Sequence, residues 1–329
     1  MPRYLIQFRA GLGDLVRAGL SRELDSLRVE YADDSAILVH TDAPEKKLCS
    51  LTYVRNCFRV LDEVQRGELS GALGELANRL RRSKVLPSSA RGEPFRLMFS
   101  VDGQLIGAQP AARSRLSAAI ERQTGGRQHA RGGRGVEFWV IGRRDYGRFL
   151  FGLRLQRPPA TATAAGALAP DLATLLVLAG EPQRDDVFLD PFAGSGAVVT
   201  ARAAWPYREL ICADIVRSGV PRVPRLRMLT EDARTLQSIA DHSVNMIVTD
   251  PPWYEFERGV DDFNEFMRAT LATLVRVLVP SGSRLVMLMS RQRAPSVAAL
   301  WKDGGLALRG EISILVNGHP ASVLIGGIG

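Results

Sequence analysis

The C-terminal half of the chain, residues 169–329, alternates short apolar runs with segments of helical periodicity. The apolar runs are typical of strands, and the segment Phe263–Leu278 has apolar residues three and four positions apart, as in a helix. Strands that alternate with helices predict a parallel, doubly wound α/β sheet with helices on both faces. The predicted strands are Val187–Leu189, Leu210–Ala213, Arg227–Leu229, Met246–Thr249, Arg284–Met289, Glu311–Val316 and Ser322–Ile325.

The N-terminal half is predicted to form two smaller α+β units, at residues 1–65 and 66–156. Residues 157–168 carry prolines and an Ala/Thr run without apolar periodicity, so they are predicted to be a linker before a domain at 169–329. The predicted elements are Tyr4–Phe8, Leu12–Leu27, Ala36–His40 and Leu48–Val64 (a helix entering a strand), then Leu69–Leu80, Phe95–Val101, Ala111–Gln123, Val136–Ile141 and Phe149–Leu155.

Positive charge is concentrated in the middle of the chain. The net charge is +8, yet residues 66–158 hold 18 Lys and Arg against 7 Asp and Glu, which leaves the rest of the chain at −3. Arginine binds phosphate through paired N–H groups, so a polyanionic partner is expected. The glycine-rich stretch 125–134 lies in this segment. It is either a loop whose backbone and arginines contact phosphates or an ordinary surface turn.

Cysteine and hydropathy patterns argue against several other classes of protein. The three cysteines, Cys49, Cys57 and Cys212, form no CxxC pair, and the four histidines are scattered, so neither a disulfide framework nor a metal site is expected. No apolar run approaches the roughly 18 residues that a membrane helix needs. The first residues lack the features of a signal peptide. We therefore expect a cytoplasmic protein with no metal and no membrane association.

A glycine-containing turn, DPFAGSG at Asp190–Gly196, follows the first predicted strand of the C-terminal half. Its glycines allow a ligand to approach the backbone closely, and the helix start that follows offers free N–H groups to an anion. The third residue after Gly196 is Val199, so the turn lacks the GxGxxG spacing of a pyrophosphate loop. This argues against a nicotinamide-dependent oxidoreductase.

Carboxylates follow the next two predicted strands. Asp214 lies 18 residues after Gly196, where a carboxylate can bridge ribose hydroxyls, although an acidic residue is common at any strand end. Asp232 follows the third strand and can accept a hydrogen bond from an adenine amino group or cap the next helix. The ligand of an open parallel sheet sits at the carboxyl ends of its strands, so these loops are expected to meet in one site.

The most specific motif is Asp250-Pro251-Pro252-Trp253, which follows the fourth predicted strand. The prolines fix the backbone and remove two N–H donors. The Asp250 carboxylate and the Pro251 carbonyl can therefore accept hydrogen bonds from both N–H groups of an exocyclic amine. Such an amine is a weak nucleophile because its lone pair is delocalised into the ring, and two acceptors can turn that lone pair towards an electrophile. Trp253 can stack on a base taken out of its helix.

The strings LDPFAGSG, AD, EDA and TDPPW resemble class I S-adenosylmethionine-dependent methyltransferases that act on amino nitrogens. The resemblance implies a Rossmann-like domain, S-adenosylmethionine as the cofactor, and Asp250, Pro251, Pro252 and Trp253 at the acceptor amine. It places Asp190, Gly194 and Gly196 at the methionine end of the cofactor, Asp214 at the ribose, and Asp232 with Ala233 at the adenine. The residues expected to contact the cofactor are Pro170, Asp190, Phe192, Ala193, Gly194, Gly196, Asp214, Ile215, Asp232, Ala233 and Asp250.

The N-terminal half is similar to that of THUMP-containing RNA methyltransferases. GLGDLVRAGLSREL, AILVHTD and LTYVRNCFRVLDEV resemble their N-terminal ferredoxin-like domain, and the block from FRLMFSVDGQLIG through GVEFWVIGRRDYGRFLFGLRL resembles their THUMP domain. This resemblance implies RNA as the partner, in particular the acceptor region of tRNA, and the N2 amine of a tRNA guanosine as the target. The arginines expected to contact RNA are Arg127, Arg131, Arg134, Arg143 and Arg144.

Alternatives to this assignment stay open. The pair Trp253-Tyr254 replaces the Tyr-Gly pair usual in the guanosine branch and is more familiar in adenine-N6 enzymes, so adenine-N6 methylation competes, as does guanine-N2 methylation of ribosomal RNA. A non-catalytic RNA-binding scaffold is a further class, which the intact DPPW and glycine turn oppose. The chain is expected to be a monomer or weak oligomer, and a requirement for a small activator protein is left open.

Overall fold

The computed structural model describes residues 1–129, 135–156, 167–216, 220, 222–252 and 263–329. The chain divides into two compact units. One unit contains Met1–Phe8 and Leu20–Pro159, and the other contains Arg9–Gly19 and Ala160–Gly329. The second unit therefore includes a short N-terminal segment in addition to the C-terminal half of the chain. Within the described ranges, no helix is long and apolar enough to cross a membrane.

The first unit is built on a single eight-stranded sheet. The elements of this half of the chain are β1 (Arg3–Gln7), α1 (Gly13–Glu23), β2 (Arg28–Ala32), β3 (Ala36–His40), α2 (Glu45–Ser50), β4 (Asn56–Gln65), α3 (Leu69–Arg82), β5 (Phe95–Val101), β6 (Gln104–Leu105), α4 (Pro110–Thr124), β7 (Val136–Gly142) and β8 (Arg148–Arg154). Helix α1 is divided between the units, because its residues up to Gly19 belong to the second unit. The strand order is β2-β3-β1-β4-β8-β7-β5-β6, and the first six elements follow the βαββαβ sequence of a ferredoxin-like unit. Because β4 pairs with both β1 and β8, the sheet continues across the boundary expected at residues 65 and 66.

Two features of this unit differ from the sequence-based expectation. The helix expected from Leu48 ends at Ser50, and the strand that follows begins only at Asn56. Strand β2, RVEYA, was missed because its residues are partly or fully exposed at the edge of the sheet and carry no apolar run.

Apolar side chains at helical spacing form the core of this unit. On α3, Leu73, Leu76 and Leu80 recur at intervals of three and four residues and are buried with Phe138 and Phe151. The Phe138 and Phe151 rings stack with their centroids 5.7 Å apart. Burial of each such side chain contributes roughly 1.5–3 kcal/mol, so the helix is fixed to the sheet by its apolar face rather than by its intrinsic propensity.

The second unit is built on a seven-stranded sheet. Its further elements are α5 (Pro170–Ala179), β9 (Val187–Asp190), α6 (Ala197–Arg202), β10 (Glu209–Asp214), β11 (Leu226–Thr230), β12 (Met246–Thr249), α7 (Phe263–Val277), β13 (Arg284–Ser290), α8 (Ala294–Asp303), β14 (Leu306–Val316) and β15 (His319–Ile328). The strand order is β11-β10-β9-β12-β13-β15-β14. The predicted fold class, α/β with a Rossmann-like doubly wound sheet, is confirmed.

One part of this sheet is not parallel as expected. Strands β9 to β13 pair in parallel, but β15 runs antiparallel to both β13 and β14. The reason is the dipeptide Asn317-Gly318, whose φ angles of +50° and +87° form a two-residue turn that returns the chain directly. Because β14 is antiparallel to β15, it runs in the same direction as β13 and ends at the same edge of the sheet.

The strand order reverses beside β9, which lies between β10 and β12. Such a reversal opens a crevice at the carboxyl ends of the strands. The base of β9 is held by a buried ion cluster. The Arg202 guanidinium is fully buried and donates to Asp186 Oδ2 at 3.0 Å and to the Gln183 carbonyl at 2.7 Å, while Arg284 binds the other Asp186 oxygen. These bonds satisfy charges that burial would otherwise make costly.

Candidate active site

A cavity of about 590 Å³ lies at the carboxyl edge of the seven-stranded sheet. Its volume is in the range of cofactor and small-molecule sites. The loops after β9, β10, β11 and β12 all contribute to its wall, so the structure brings together the loops that the sequence singled out. The lining residues from these loops are Pro191, Phe192, Gly194, Asp214, Ile215, Val216, Asp232, Ala233, Arg234, Asp250, Pro251 and Pro252.

The turn after β9 depends on its two glycines. Gly194 and Gly196 have φ angles of +48° and +78°, which favour glycine. A Cβ at Gly196 would come within 2.6 Å of Val220, whereas a Cβ at Gly194 would meet no atom within 4 Å. The backbone at Gly194 is therefore open to a ligand. The Ala193 N–H donates to the Ala213 carbonyl at 3.0 Å and fixes the turn to β10.

Asp190 lies beneath this turn rather than in the cavity wall. Its side chain is buried, and Oδ1 accepts hydrogen bonds from the Phe192 N–H at 3.2 Å and from Thr249 Oγ1 at 3.1 Å. Burial, together with the charges of Asp250 and Asp214, raises the pKa of Asp190 to about 7, although these hydrogen bonds lower it. Asp190 therefore organises the turn and links β9 to β12.

Three other residues expected to contact the cofactor also lie outside the cavity lining. Ala193 and Gly196 belong to the turn but are not among the residues that line the cavity, and Pro170 is the first residue of α5. Its neighbours Ala169 and Leu172 line the cavity instead. Contact of Pro170, Ala193 and Gly196 with the cofactor stays a prediction.

The Asp214 carboxylate is fixed by hydrogen bonds from two nearby backbone N–H groups. Oδ2 accepts the Gly194 N–H at 2.8 Å, and Oδ1 accepts the Val216 N–H at 3.1 Å. Each carboxylate oxygen accepts about two hydrogen bonds, so both retain capacity for a ligand. The adjacent Ile215 and Val216 are 70% and 67% exposed, and they line the cavity. An apolar surface next to a fixed acceptor suits a flat ring attached to a polyhydroxylated sugar.

Asp232 is engaged by a residue that the sequence analysis did not single out. Arg234 donates through Nη2 to Oδ2 at 2.6 Å and through its backbone N–H to Oδ1 at 2.8 Å, and these hydrogen bonds lower the pKa of Asp232. The Arg234 guanidinium also lies 5.8 Å from the centre of the Phe266 ring, which is 5.9 Å from that of Phe192. This side of the cavity therefore carries an aromatic pair and a cation besides the carboxylate.

The Asp250-Pro251-Pro252 segment continues from β12, whose four residues are all buried. All three residues line the cavity, and the charge of Asp250 contributes to the raised pKa of Asp190, so the two carboxyl groups are neighbours. Trp253 lies outside the described residues, and its predicted stacking on a base stays a prediction.

Another part of the cavity wall comes from segments in which no site residue was predicted. Val316 and Asn317 line the cavity at the β14–β15 turn, and Arg9 reaches it from the N-terminal segment. The Asn317-Gly318 dipeptide is a recognised hairpin signal, so sequence inspection could have found this turn. No sequence signal marks Arg9, because its partners Asp171 and Leu315 lie 162 and 306 residues away.

The arginines expected to bind RNA divide into three groups. Arg127 and Arg144 are exposed, whereas Arg131 and Arg134 lie outside the described residues. Arg143 was predicted wrongly, because it is only 5% exposed and donates to the Asp33 carboxylate through Nε at 2.6 Å and Nη2 at 2.5 Å. Burial of Asp33 raises its pKa, but the hydrogen bonds from Arg143 and other neighbours outweigh this effect and hold the pKa below its usual value. Arg143 is a structural ion-pair partner within the first unit.

Similarity to known proteins is found at the level of structure. No protein family and no curated protein sequence matches the chain. TrmN from Thermus thermophilus matches with a TM-score of 0.75 and 21% identity over 99% of both chains. A predicted N6-adenine-specific DNA methylase from Listeria monocytogenes matches with a TM-score of 0.66 and 13% identity, over 100% of this chain and 96% of the other.

SMU.472, assigned as a methyltransferase and solved in complex with SAH, matches with a TM-score of 0.64 and 13% identity, over 100% of this chain and 99% of the other. At these identities the likenesses show the fold. The chain has the mixed α/β architecture of these proteins, with a Rossmann-like sheet in its second unit.

Proposed function

We propose that the chain is an S-adenosylmethionine-dependent methyltransferase that acts on an exocyclic amino group of a nucleobase in RNA. The observation that carries the proposal is that Gly194, Asp214 and the Asp250-Pro251-Pro252 segment line one cavity. SMU.472, which has the same fold, was solved with SAH. SAH is what S-adenosylmethionine becomes when it has given up its methyl group.

The residues of the cavity fit this cofactor. Asp214 offers fixed acceptors to ribose hydroxyls, Ile215 and Val216 offer an apolar surface to adenine, and the backbone at Gly194 is open to close approach. Arg234 donates a hydrogen bond to Asp232, so the Asp232 carboxylate that contacts the adenine edge is already paired with a guanidinium. When bound, the cofactor supplies an electrophilic methyl group on a sulfonium.

The chain's own contribution to the reaction is to position the acceptor. The Asp250 carboxylate and the Pro251 carbonyl accept hydrogen bonds from the two N–H groups of the amine, and the prolines hold both oxygens in place. Thr249, fixed by its hydrogen bond to Asp190, anchors the segment at the buried end of β12. Fixed geometry of this kind can supply much of a rate enhancement. The methylated amine is acidic while it is cationic, so Asp250 need only be a weak base for its proton.

RNA is the proposed substrate class because the basic charge lies in the middle segment, outside the cavity-bearing C-terminal half. Arg127 and Arg144 are exposed there and available to phosphates. The N-terminal half of the chain is similar to that of THUMP-containing enzymes and has a ferredoxin-like order of elements. This similarity supports the acceptor region of tRNA as the partner and guanosine N2 as the target.

Adenine N6 is the second candidate target. It is favoured by Trp253, which follows the two prolines in place of the tyrosine usual in the guanosine branch. The fold neighbour from Listeria monocytogenes is also named as an N6-adenine-specific methylase. Both amines are flat and conjugated, so the same pair of acceptors suits either.

Mass spectrometry of nucleosides from the tRNA and rRNA of a deletion strain tests the proposal. We expect N2-methylguanosine to fall in tRNA and to be restored by the wild-type gene but not by one encoding Asp250→Ala. Loss of N6-methyladenosine instead would select the second candidate. An unchanged set of methylated nucleosides in both RNA classes would contradict RNA methylation.

A further inference from the structure

Arg9 forms part of the cavity wall although it comes from the N-terminal segment of the second unit. Its Nη2 donates to Oδ1 and Oδ2 of Asp171, in the first turn of α5, at 3.1 and 3.3 Å. Its Nη1 donates to the Leu315 carbonyl at 3.2 Å. The side chains of Arg9 and Asp171 are 12% and 14% exposed, so the guanidinium is held in one place in the wall of the cavity.

The segment that carries Arg9 is itself firmly packed. Leu12 and Val16 are buried, and Gly11 has a φ of +86°. A Cβ at Gly11 would come within 2.7 Å of the Ser313 carbonyl oxygen on β14, so the backbone approaches this strand as closely as glycine permits. The position of Arg9 is therefore set by the fold around it and not by the cavity alone.

The order of strands places Arg9 on the acceptor side of the cavity. Asp214 is the last residue of β10 and Asp232 follows β11, both on one side of β9, and they are the proposed ribose and adenine contacts. Asp250 follows β12 on the other side. Arg9 is bonded to Leu315 near the end of β14, the last strand on that side. Along the sheet, Asp250 lies between the proposed cofactor contacts and Arg9.

The charges of the cavity give Arg9 a distinct role. Among the described residues of the wall, the carboxylates are Asp214, Asp232 and Asp250, and the cations are Arg9 and Arg234. Arg234 is paired with Asp232 inside the wall, whereas the partner of Arg9, Asp171, is not part of the lining. A nucleotide that brings its base to Asp250 also brings a phosphate, which the carboxylates repel and which Arg9 can attract.

We propose that Arg9 binds the phosphate of the nucleotide whose base is methylated. A guanidinium has five N–H donors, and the two partners above leave donors on Nη1 and Nη2 for an oxyanion. This inference rests on the proposed function. The carboxylate of the cofactor is a second oxyanion that enters the same cavity, and the experiment below separates the two.

The test compares Arg9→Gln and Asp171→Asn in the full chain, with Arg309→Gln as a matched loss of one positive charge. Arg309 is exposed on β14, donates to the Ile328 carbonyl, and is not part of the cavity lining. For each variant, the affinity for unfractionated tRNA from the deletion strain is measured at several salt concentrations. The affinity for SAH is measured by calorimetry, and the melting temperature is recorded.

We expect Arg9→Gln to weaken tRNA binding and to reduce the slope of log affinity against log salt by about 0.7–0.9, the value of one phosphate contact. Binding of SAH should change less than twofold. Asp171→Asn should leave tRNA binding unchanged or tighter, because it removes the carboxylate that neutralises Arg9. Arg309→Gln should change the salt slope less than Arg9→Gln does.

If the ion pair has a purely structural role, Arg9→Gln and Asp171→Asn should both weaken the binding of tRNA and of SAH to a similar extent. That result would overturn the proposal. Weaker binding of SAH with unchanged tRNA binding would also overturn it, in favour of the cofactor carboxylate. If Arg9→Gln does not fold, Asp171→Asn decides, because weaker tRNA binding with unchanged SAH binding contradicts a phosphate at Arg9. Wild-type chain that binds neither ligand would contradict the proposed function itself.

Discussion

The backbone N–H of Gly194 donates a hydrogen bond of 2.8 Å to Oδ2 of Asp214. This bond joins the glycine turn after β9 to the carboxylate at the end of β10, beside the point where the strand order reverses. It orients the carboxylate before a ligand arrives, so less side-chain entropy is lost when the ligand binds. Because Gly194 has a φ of +48°, other residues would present this N–H only under strain.

Asp214→Ala is expected to weaken binding of S-adenosylmethionine or SAH by roughly 10- to 100-fold, because a charge-assisted hydrogen bond contributes about 1.5–3 kcal/mol. Calorimetry measures this directly. Glu209→Ala is the matched control, since Glu209 lies at the start of the same strand in an exposed pair with Arg227. Equal affinities of the two variants would remove Asp214 from the proposed cofactor site.

Asp190→Asn is expected to stabilise the fold increasingly as the pH rises. Burial raises the pKa of Asp190 to about 7 in the folded state, from an ordinary value near 3.8. Between these values the folded state holds a proton that the unfolded state has lost, so this group makes the wild-type protein less stable as the pH rises from about 4 to 7.

Asparagine keeps the acceptor for Phe192 and Thr249 and removes the titration. The difference in melting temperature between Asp190→Asn and wild type should therefore grow between pH 5 and pH 8. Comparing the two proteins at each pH cancels the contributions of other acids, such as Asp33, whose pKa is lowered. A difference that does not depend on pH would contradict this assignment.

Neighbouring arginines in the first unit are expected to behave oppositely. Arg143→Ala leaves the Asp33 carboxylate without its main partner in a mostly buried site, so stability should fall by about 3 kcal/mol. Arg144→Ala should leave stability within about 0.5 kcal/mol and reduce the salt dependence of RNA binding. Denaturant unfolding and binding titrations measure the two effects. Equal stabilities of the two variants would show that the Arg143 ion pair is not structural.

The strand-end loops could be located from sequence because their signals are local. Buried strands appear as short apolar runs, and the parallel fold brings whatever follows them to one edge, so Asp214, Asp232 and Asp250 could be placed in one site. The β14–β15 turn was equally accessible, since Asn317-Gly318 is a hairpin signal. The parallel expectation for the last strand was wrong because this turn reverses the chain between β14 and β15.

Other parts of the site depend on contacts that sequence does not encode locally. Arg9 enters the cavity wall through partners on α5 and β14, and Arg143 is taken out of contact with solvent by Asp33, 110 residues away. Both residues look alike in the sequence, as arginines near the end of a strand. Only the fold shows that Arg9 faces the cavity and that Arg143 is buried.

The central claim is that Asp250 positions the acceptor amine. It is tested most directly by the rate at which labelled methyl groups pass from S-adenosylmethionine to tRNA of the deletion strain, in wild type and in Asp250→Ala. We predict a rate at least about 100-fold lower in the variant, with tRNA affinity nearly unchanged, since loss of an aligned acceptor misplaces the amine. Near-normal turnover by Asp250→Ala would contradict the account.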